Sequence, residues 1–290
     1  MVFHPPVQIV AKGAGAGQYK CGLPVWNMLV RGFMSGAYIA MGAALATVCS
    51  TAVADNLGAG IGQFMLGAVF PVGLIITVLC GAELFTGDAM LAPLAAFLNK
   101  VSWGKVINLW IWVYIGNLIG SIFFAYLMAN GPFVSFNAAG VATVNAFGMR
   151  AVAIGLAKTS YVGGMGFYSA FLKGIGCNWL VNLAIMLGIC ADDAVGKFFG
   201  IWFPIMAFVS IGFEHCVANM YFIPAGILTA GYLNADQIAT LTAEKIAGLN
   251  WVTMWTSNII PVTIGNIIGG MVFVGVLYWI AFKKEIEALE

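Results

Sequence analysis

The chain has 290 residues, of which 62% are hydrophobic and only 8% are charged, and its mean hydropathy is +0.98. A soluble domain is typically about half apolar and about a quarter charged, so this composition excludes an ordinary soluble protein and indicates an integral membrane protein. The net charge of +1 provides no basic field for binding nucleic acid. No cleavable signal peptide is expected, because residues 1–20 lack an apolar segment of the required length.

Six apolar segments, each long enough to cross a bilayer, follow one another along the chain. They cover about residues 26–50, 62–97, 106–130, 167–190, 197–231 and 255–282. Six crossings place both termini on one side of the membrane, and most of the flanking Lys and Arg residues lie on that side. The positive-inside rule therefore predicts that both termini are cytoplasmic. We expect a single transmembrane transporter domain over residues 1–290, with the outer loops 131–166 and 232–254 acting as ordinary lids.

The second and fifth segments are too long for simple spans, and each contains glycine and polar residues near its middle. These stretches are CGAELFTGD at 80–88 and SIGFEHCVAN at 210–219. A straight helix does not need such residues, whereas unwound backbone at membrane depth is tolerated where it is buried in protein or lines a cavity. The sequence therefore predicts that helices 2 and 5 are broken at these two places.

The two halves of the chain resemble each other. Three pairs of stretches match at a spacing near half the chain length: 114–124 with 263–273, 70–88 with 203–219, and 30–42 with 172–184. Each half contains three spans, so the second copy, about 167–282, must be inverted relative to the first, about 26–130. Inverted repeats place their site at the midplane, between discontinuous helices. The repeated GNLIG and GNIIG stretches also predict closely packed helices.

One histidine, His215, lies within the apolar segments. Ionisable groups inside a membrane are costly and are functional hypotheses by default. A neutral imidazole in a dry passage can hydrogen-bond a small weak acid and can exchange a proton with it near neutral pH. Thr86 and Asn178 supply uncharged hydrogen-bonding groups, while Lys158 and Lys173, toward the outer side, would attract an anion.

The two intramembrane glutamates, Glu83 and Glu214, occupy matching places in the two halves. They have two interpretations, a structural one in which they bond backbone amides at the breaks and a functional one in which they relay protons. The structural interpretation is favoured.

Nothing in the sequence indicates catalysis or a bound cofactor. The six cysteines form no CxxC pair and lie mostly in apolar runs, as buried small hydrophobic residues do. One intramembrane histidine is too few to ligate a haem on both faces or to build a zinc site. The chain shows no nucleophile–base constellation and no phosphate-binding loop, so we expect no enzyme activity, no cofactor and no metal.

Four stretches carry a resemblance to a known family: CGAELFTG at 80–87, GIGCNWLVNLA at 174–184, GFEHCVANMYFIPAG at 212–226 and IPVTIGNIIGG at 260–270. In these stretches, and in order and spacing over nearly the whole chain, the sequence resembles the formate–nitrite transporter family. The resemblance implies an aquaporin-like fold of six helices, a homopentamer with one pore per subunit, and passage of small monovalent weak-acid anions with protons. The sequence as a whole is most similar to archaeal formate-uptake members, which makes formate the favoured cargo.

The matched motifs also imply roles for individual residues. His215 resembles the central pore histidine, Thr86 the threonine of the loop that breaks the second helix, and Asn178 a pore-lining asparagine. Glu214 and Asn219 resemble the residues that support the histidine.

The resemblance further implies hydrophobic constrictions and a vestibule. The constriction residues would be Phe70, Leu74, Leu84, Phe85 and Phe208, with Leu84 and Phe85 on a moving loop. Lys158 would be the vestibule lysine. Residues 1–25, which include PPVQIVAKGAGAGQYK, would form an amphipathic helix along the cytoplasmic face.

Other functions remain open. Within the same family the cargo could be nitrite, hydrosulfide, acetate or lactate. A water or glycerol pore would suit an aquaporin-like fold, although twin NPA motifs are absent. A membrane anchor or haem subunit of an oxidoreductase is disfavoured by the single intramembrane histidine.

Overall fold

The computed structural model describes residues 3–288 as a helical protein with one small hairpin, and residues 1–2 and 289–290 of the predicted domain lie outside the described residues. The helices are α1 (Pro6–Cys21), α2 (Val25–Cys49), α3 (Val53–Leu57), α4 (Ala59–Val69), α5 (Val72–Leu79), α6 (Phe85–Phe97), α7 (Trp103–Asn130), α8 (Ala146–Thr159), α9 (Gly163–Cys190), α10 (Ala194–Ile211), α11 (Cys216–Ala230), α12 (Ala235–Leu241), α13 (Ala243–Ala247) and α14 (Trp251–Glu287). The hairpin pairs β1 (Val134–Phe136) with β2 (Ala142–Val144) in antiparallel register.

Six helical stretches in the described chain are long and apolar enough to cross a membrane, as predicted. They are α2, α4 with α5, α7, α9, α10 and α14. Helices satisfy their backbone hydrogen bonds internally, which a lipid environment requires. The first helix, α1, packs against α6 and against the last turns of α14, so the beginning and the end of the described chain lie on the same side. We call this the terminal side and the opposite one the far side.

The breaks predicted in helices 2 and 5 are confirmed. The backbone leaves helical geometry between α5 and α6, and again between α10 and α11. Each break contains a glycine in the left-handed region, Gly81 at φ 74° and Gly212 at φ 83°, which a residue with a β-carbon adopts at a cost. The spacing from Gly81 to Gly212 along the chain equals the spacing from Glu83 to Glu214. The second and fifth spans are therefore interrupted at corresponding points.

The prediction that residues 131–166 and 232–254 are outer loops is wrong, because both ranges contain helices. The first contains the hairpin and the helix α8, which packs against α11, and the second contains α12 and α13. Asn145 begins α8 by accepting a hydrogen bond from the backbone N–H of Gly148 at 3.0 Å. The small residues that suggest a loop permit close packing instead, because Gly155 and Gly226 bring α8 and α11 into backbone contact. The predicted vestibule residue Lys158 lies in the last turn of this helix.

Close helix contacts repeat in the two halves. Helix α7 crosses α2 where a β-carbon on Gly120 would lie 2.0 Å from the carbonyl oxygen of Phe33. Helix α14 crosses α9 where a β-carbon on Gly269 would lie 2.4 Å from the carbonyl oxygen of Ile175. The two glycines are equivalent in the alignment of the repeated GNLIG and GNIIG stretches, and the two carbonyl groups are equivalent in the alignment of 30–42 with 172–184. The predicted packing through GNLIG and GNIIG is confirmed.

Gly120→Ala is expected to destabilise the protein by about 3 kcal/mol or more, because the new methyl group meets backbone atoms that cannot move aside without separating the helices. Gly15→Ala is the matched control, since a β-carbon on Gly15 meets no atom within 4 Å. Thermal unfolding in detergent, followed by fluorescence-detected gel filtration, measures both variants. Equal melting temperatures for the two variants would contradict the packing argument.

Candidate functional site

The N-terminal ends of the two short helices α6 and α11 meet in the middle of the protein. Thr86 lies in the first turn of α6, and His215 immediately precedes α11. The Thr86 hydroxyl oxygen and the His215 Nε2 atom are 2.8 Å apart, and both side chains are buried. This hydrogen bond joins the two breaks. The positive ends of both helix dipoles also point toward this region, which favours negative charge there.

The cap of α11 determines which nitrogen of His215 carries the proton. The Nδ1 atom accepts a hydrogen bond from the backbone N–H of Ala218 at 3.0 Å, so it carries no hydrogen. A neutral imidazole has one N–H, which must then be at Nε2. The Nε2–H group therefore donates to the Thr86 hydroxyl oxygen, which leaves the threonine hydrogen free to donate elsewhere. The ring cannot take a second proton at Nδ1 without losing its bond to Ala218.

An apolar constriction lies beside the histidine. The space enclosed there is about 10 Å³, which is at the lower limit of what one water molecule needs. The residues around it are Ile39, Phe70, Leu74, Leu84, Val181, Ile205, Phe208 and His215. The rings of Phe70 and Phe208 meet edge to face with centroids 5.9 Å apart. The structure thus places Phe70, Leu74, Leu84 and Phe208 together at one narrow point.

Phe85, which the resemblance implies at the constriction, lies elsewhere. Its ring packs against Tyr114 and Trp110 of α7, with centroid distances of 4.8 Å and 6.1 Å. The reason is the helical turn of α6, which directs successive side chains to different sides. Leu84 lines the constriction, whereas Phe85 packs the start of α6 against α7.

Asn178 lies next to the backbone of Thr86, the residue whose side chain bonds His215. It is fully buried, and its amide donates to the carbonyl oxygens of Thr86 at 3.1 Å and Asn266 at 2.6 Å. Asn182, one turn further along α9, also donates to the Thr86 carbonyl oxygen at 3.1 Å. The structure therefore gives Asn178 a direct contact with the backbone of Thr86. Sequence reasoning missed Asn182.

A cavity of about 450 Å³ opens from His215 toward the far side, and we call it the far vestibule. Lys158 donates to both carboxylate oxygens of Glu214 at 2.8 Å, and Tyr161 donates to the same carboxylate at 2.9 Å. Lys173 donates to the Tyr161 hydroxyl at 2.9 Å. Burial and the Glu214 carboxylate raise the pKa of Tyr161 above its usual value, so its hydroxyl stays protonated. Asn219 donates to Glu214 at 2.6 Å.

A smaller cavity of about 260 Å³ lies on the terminal side, and we call it the terminal vestibule. Lys20, at the end of α1, forms ion pairs with Glu83 and with Asp88, the latter at 2.9 Å. The Arg31 Nη1 atom lies 3.5 Å from the Glu83 Oε1 atom. Burial opposes the charge of Lys20, but the carboxylates of Asp88 and Glu83 outweigh this and raise its pKa above the usual value. Sequence reasoning missed Asp88, which shares the Lys20 ammonium with Glu83.

The two glutamates do not bond backbone amides at the breaks as predicted, because among the described residues their carboxylates bind side chains. The backbone groups at the breaks are bonded by two asparagines that sequence reasoning missed. The Asn117 side chain accepts from the N–H of Phe85 at 2.9 Å and donates to the carbonyl oxygen of Glu83 at 2.9 Å. The Asn266 side chain makes the matching bonds to Cys216 and Glu214, at 2.9 Å and 3.0 Å. The repeated IGN triplets contained the signal, since each ends in one of these asparagines.

The chain is similar to known proteins by a family model, by sequence and by structure. A family model described as formate/nitrite transporter matches residues 7–280. The chain is 39% identical over 296 residues to the "Probable formate transporter" of Methanothermobacter thermautotrophicus, covering 98% of each protein. It is 38% identical over 288 residues to "Formate channel BtFdhC" of Bacillus thuringiensis, again covering 98% of each. A solved "Pentameric formate channel with formate bound" is 32% identical with a TM-score of 0.75, covering 89% of this chain and 98% of that one.

Proposed function

The chain belongs to the formate/nitrite transporter family, and we propose from this that it passes formate across the cell membrane as a homopentamer with one pore in each subunit. Similarity to a formate transporter and to a formate channel over nearly the full length supports the choice of formate. Similarity to a solved pentameric channel supports the pentamer. Residues 1–290 act as one transmembrane domain, with lipid around the assembly. The protein acts as a transporter or channel and catalyses no reaction.

The contact between Thr86 and His215 is the observation that carries this proposal. The hydrogen bond lies beside the apolar constriction, and in this proposal it closes the passage between the two vestibules. An anion at this point can take up the Nε2–H donor of the imidazole and the free hydrogen of the threonine. The two hydrogen bonds and the facing helix ends then replace part of the water that the anion gives up.

Passage is linked to protons through His215. The ring first takes a second proton from solvent at Nδ1, and the resulting imidazolium gives its Nε2 proton to formate. The products are formic acid and a neutral imidazole that carries its proton at Nδ1. Taking up that proton breaks the bond from Ala218 to Nδ1. Each proton carried with formate therefore involves opening and re-forming the cap of α11. The neutral acid crosses the apolar constriction without the desolvation cost of the anion.

Orientation follows from charge. The basic residues that flank the spans are more numerous on the terminal side, which supports cytoplasmic termini. The terminal vestibule then opens to the cytoplasm and the far vestibule to the outside. Helix α1 lies on the cytoplasmic side, where it contributes Lys20 to the mouth of the pore.

The cargo is tested by measuring uptake of formate, nitrite and hydrosulfide side by side into liposomes containing the purified protein. We expect formate uptake at least about tenfold above protein-free liposomes, and faster than uptake of the other anions. Transport of nitrite or hydrosulfide with no transport of formate would overturn the cargo but leave the family. Osmotic swelling with water or glycerol and no anion flux would replace the proposal with a neutral-solute pore.

A further inference from the structure

The two vestibules contain equivalent sets of side chains that differ at one informative position. The far set is Lys158, Lys173, Glu214 and Asn219. The terminal set is Lys20, Arg31, Glu83 and Asp88. Glu83 corresponds to Glu214 and Asp88 to Asn219, with the same spacing along the chain in both pairs. The terminal half thus has a carboxylate where the far half has an amide.

Asp88 is placed to act on the terminal set alone. Its side chain is fully buried, and one oxygen accepts from the Lys20 ammonium at 2.9 Å. The other oxygen is buried without a hydrogen-bond partner among residues 3–288. Asn219, by contrast, uses its amide to bond Glu214 at 2.6 Å and Asn258 at 2.7 Å. The amide adds no charge, whereas Asp88 places a second carboxylate beside the first.

The consequence is a difference in charge between the two mouths. With both carboxylates ionised, Lys20 and Arg31 balance Glu83 and Asp88, and the terminal set then has no net charge. In the far set two lysines face one carboxylate, which leaves one positive charge. Lys173 donates to the Tyr161 hydroxyl and forms no ion pair with a carboxylate among residues 3–288. A low-dielectric cavity focuses such a difference onto an entering ion.

We propose that Asp88 sets the difference in anion affinity between the two faces of the pore, so that formate binds more weakly from the terminal vestibule than from the far vestibule. This inference rests on the proposed function. Asp88 acts through Lys20, as a positioning residue: it occupies one of the three ammonium donors and cancels one charge. The final concentrations of formate on the two sides depend on the driving forces across the membrane and not on Asp88. The asymmetry therefore appears in the apparent KM at each face and not in the final accumulation.

The test compares Asp88→Asn, which reproduces the far half, with the native protein. Initial formate influx is measured in right-side-out and inside-out vesicles from cells without another formate transporter, and protease protection of a C-terminal tag defines the face exposed to the medium. We expect the native KM to be higher at the terminal face. Asp88→Asn should lower the KM at the terminal face by about threefold to tenfold, from removing one unit charge across a screened distance. The KM at the far face should change much less.

Three further measurements separate this role from a structural one. Asp88→Glu retains the charge and should keep the native ratio of the two KM values. Glu285→Gln removes a carboxylate from the exposed C-terminal turn and should also keep it. Raising ionic strength should bring the two native KM values together, because salt screens the vestibule charges. This last measurement needs no variant, so it holds even if Asp88→Asn fails to fold.

Two results would overturn the inference while leaving the proposed function intact. One is equal native KM values at both faces at low salt. The other is a folded Asp88→Asn protein whose KM ratio matches the native ratio. Absence of formate uptake by the native protein at either face would instead overturn the proposed function.

Discussion

His215→Asn is expected to abolish the dependence of formate uptake on a pH gradient while the protein stays folded. The asparagine oxygen can accept the N–H of Ala218 and so keep the cap of α11, because asparagine is a favoured residue at this position. Its amide can still hydrogen-bond Thr86, but it cannot take up and release a proton. Acceleration of uptake by an inward proton gradient should fall about tenfold or more.

The measurement is formate uptake into proteoliposomes with and without the gradient, alongside simultaneous recording of internal pH. His4→Asn is the matched control, because His4 lies outside the spans, bonds Asp192 at 2.6 Å and is not among the residues that line the constriction or either vestibule. The control should keep the native pH response. A His215→Asn protein with the native pH response would show that the imidazole serves only as a helix cap, and that formate gains its proton in the vestibules or in bulk water.

Leu74→Ala is expected to admit larger carboxylates. Leu74 is fully buried and borders the cavity of about 10 Å³ at the constriction. Removing three of its carbon atoms widens the passage, which should ease the entry of a molecule with extra methyl or methylene groups. The effect of one such group in an apolar pocket is about tenfold or more. The uptake of acetate or lactate relative to formate should therefore rise by about tenfold.

Relative uptake of the three acids by equal amounts of folded protein gives the measurement. Leu79→Ala is the control, because Leu79 ends the same helix and is 45% exposed on its outer side. The control should leave the relative uptake unchanged. Unchanged selectivity in Leu74→Ala would mean that the limiting size is set at another point of the pathway.

The main features of the fold could be predicted because they follow from hydropathy and repetition. Apolar segments of bilayer length give the spans, and glycine with polar residues inside an apolar run gives the breaks. The alignment of the two halves that matches Glu83 with Glu214 also matches the glycines with left-handed backbone, Gly81 and Gly212. Helix α8 was not predicted, because the many alanines and glycines of residues 131–166 suggested a loop. The helix is capped by Asn145 and packs against α11.

The contacts of the candidate site were harder to predict from the sequence, because they join residues that are far apart along the chain. The pairing of Thr86 with His215 joins residues 129 positions apart. A local sequence pattern cannot predict a contact between residues so far apart. Asn117 and Asn266 lie in the repeated IGN triplets, but their flanking glycines suggested packing and concealed their role as hydrogen-bonding residues. Lys20 reaches the pore from a helix outside the spans, so its flanking position suggested only a charge that sets orientation.

The most direct test of the central proposal, that formate passes between Thr86 and His215, is a high-resolution structure of the protein at saturating formate. The proposal predicts density for the anion within hydrogen-bonding distance of His215 Nε2 and the Thr86 hydroxyl, with the 2.8 Å bond between them opened. Formate confined to the two vestibules, with that bond intact in every subunit and with uptake of formate demonstrated for the same preparation, would contradict it.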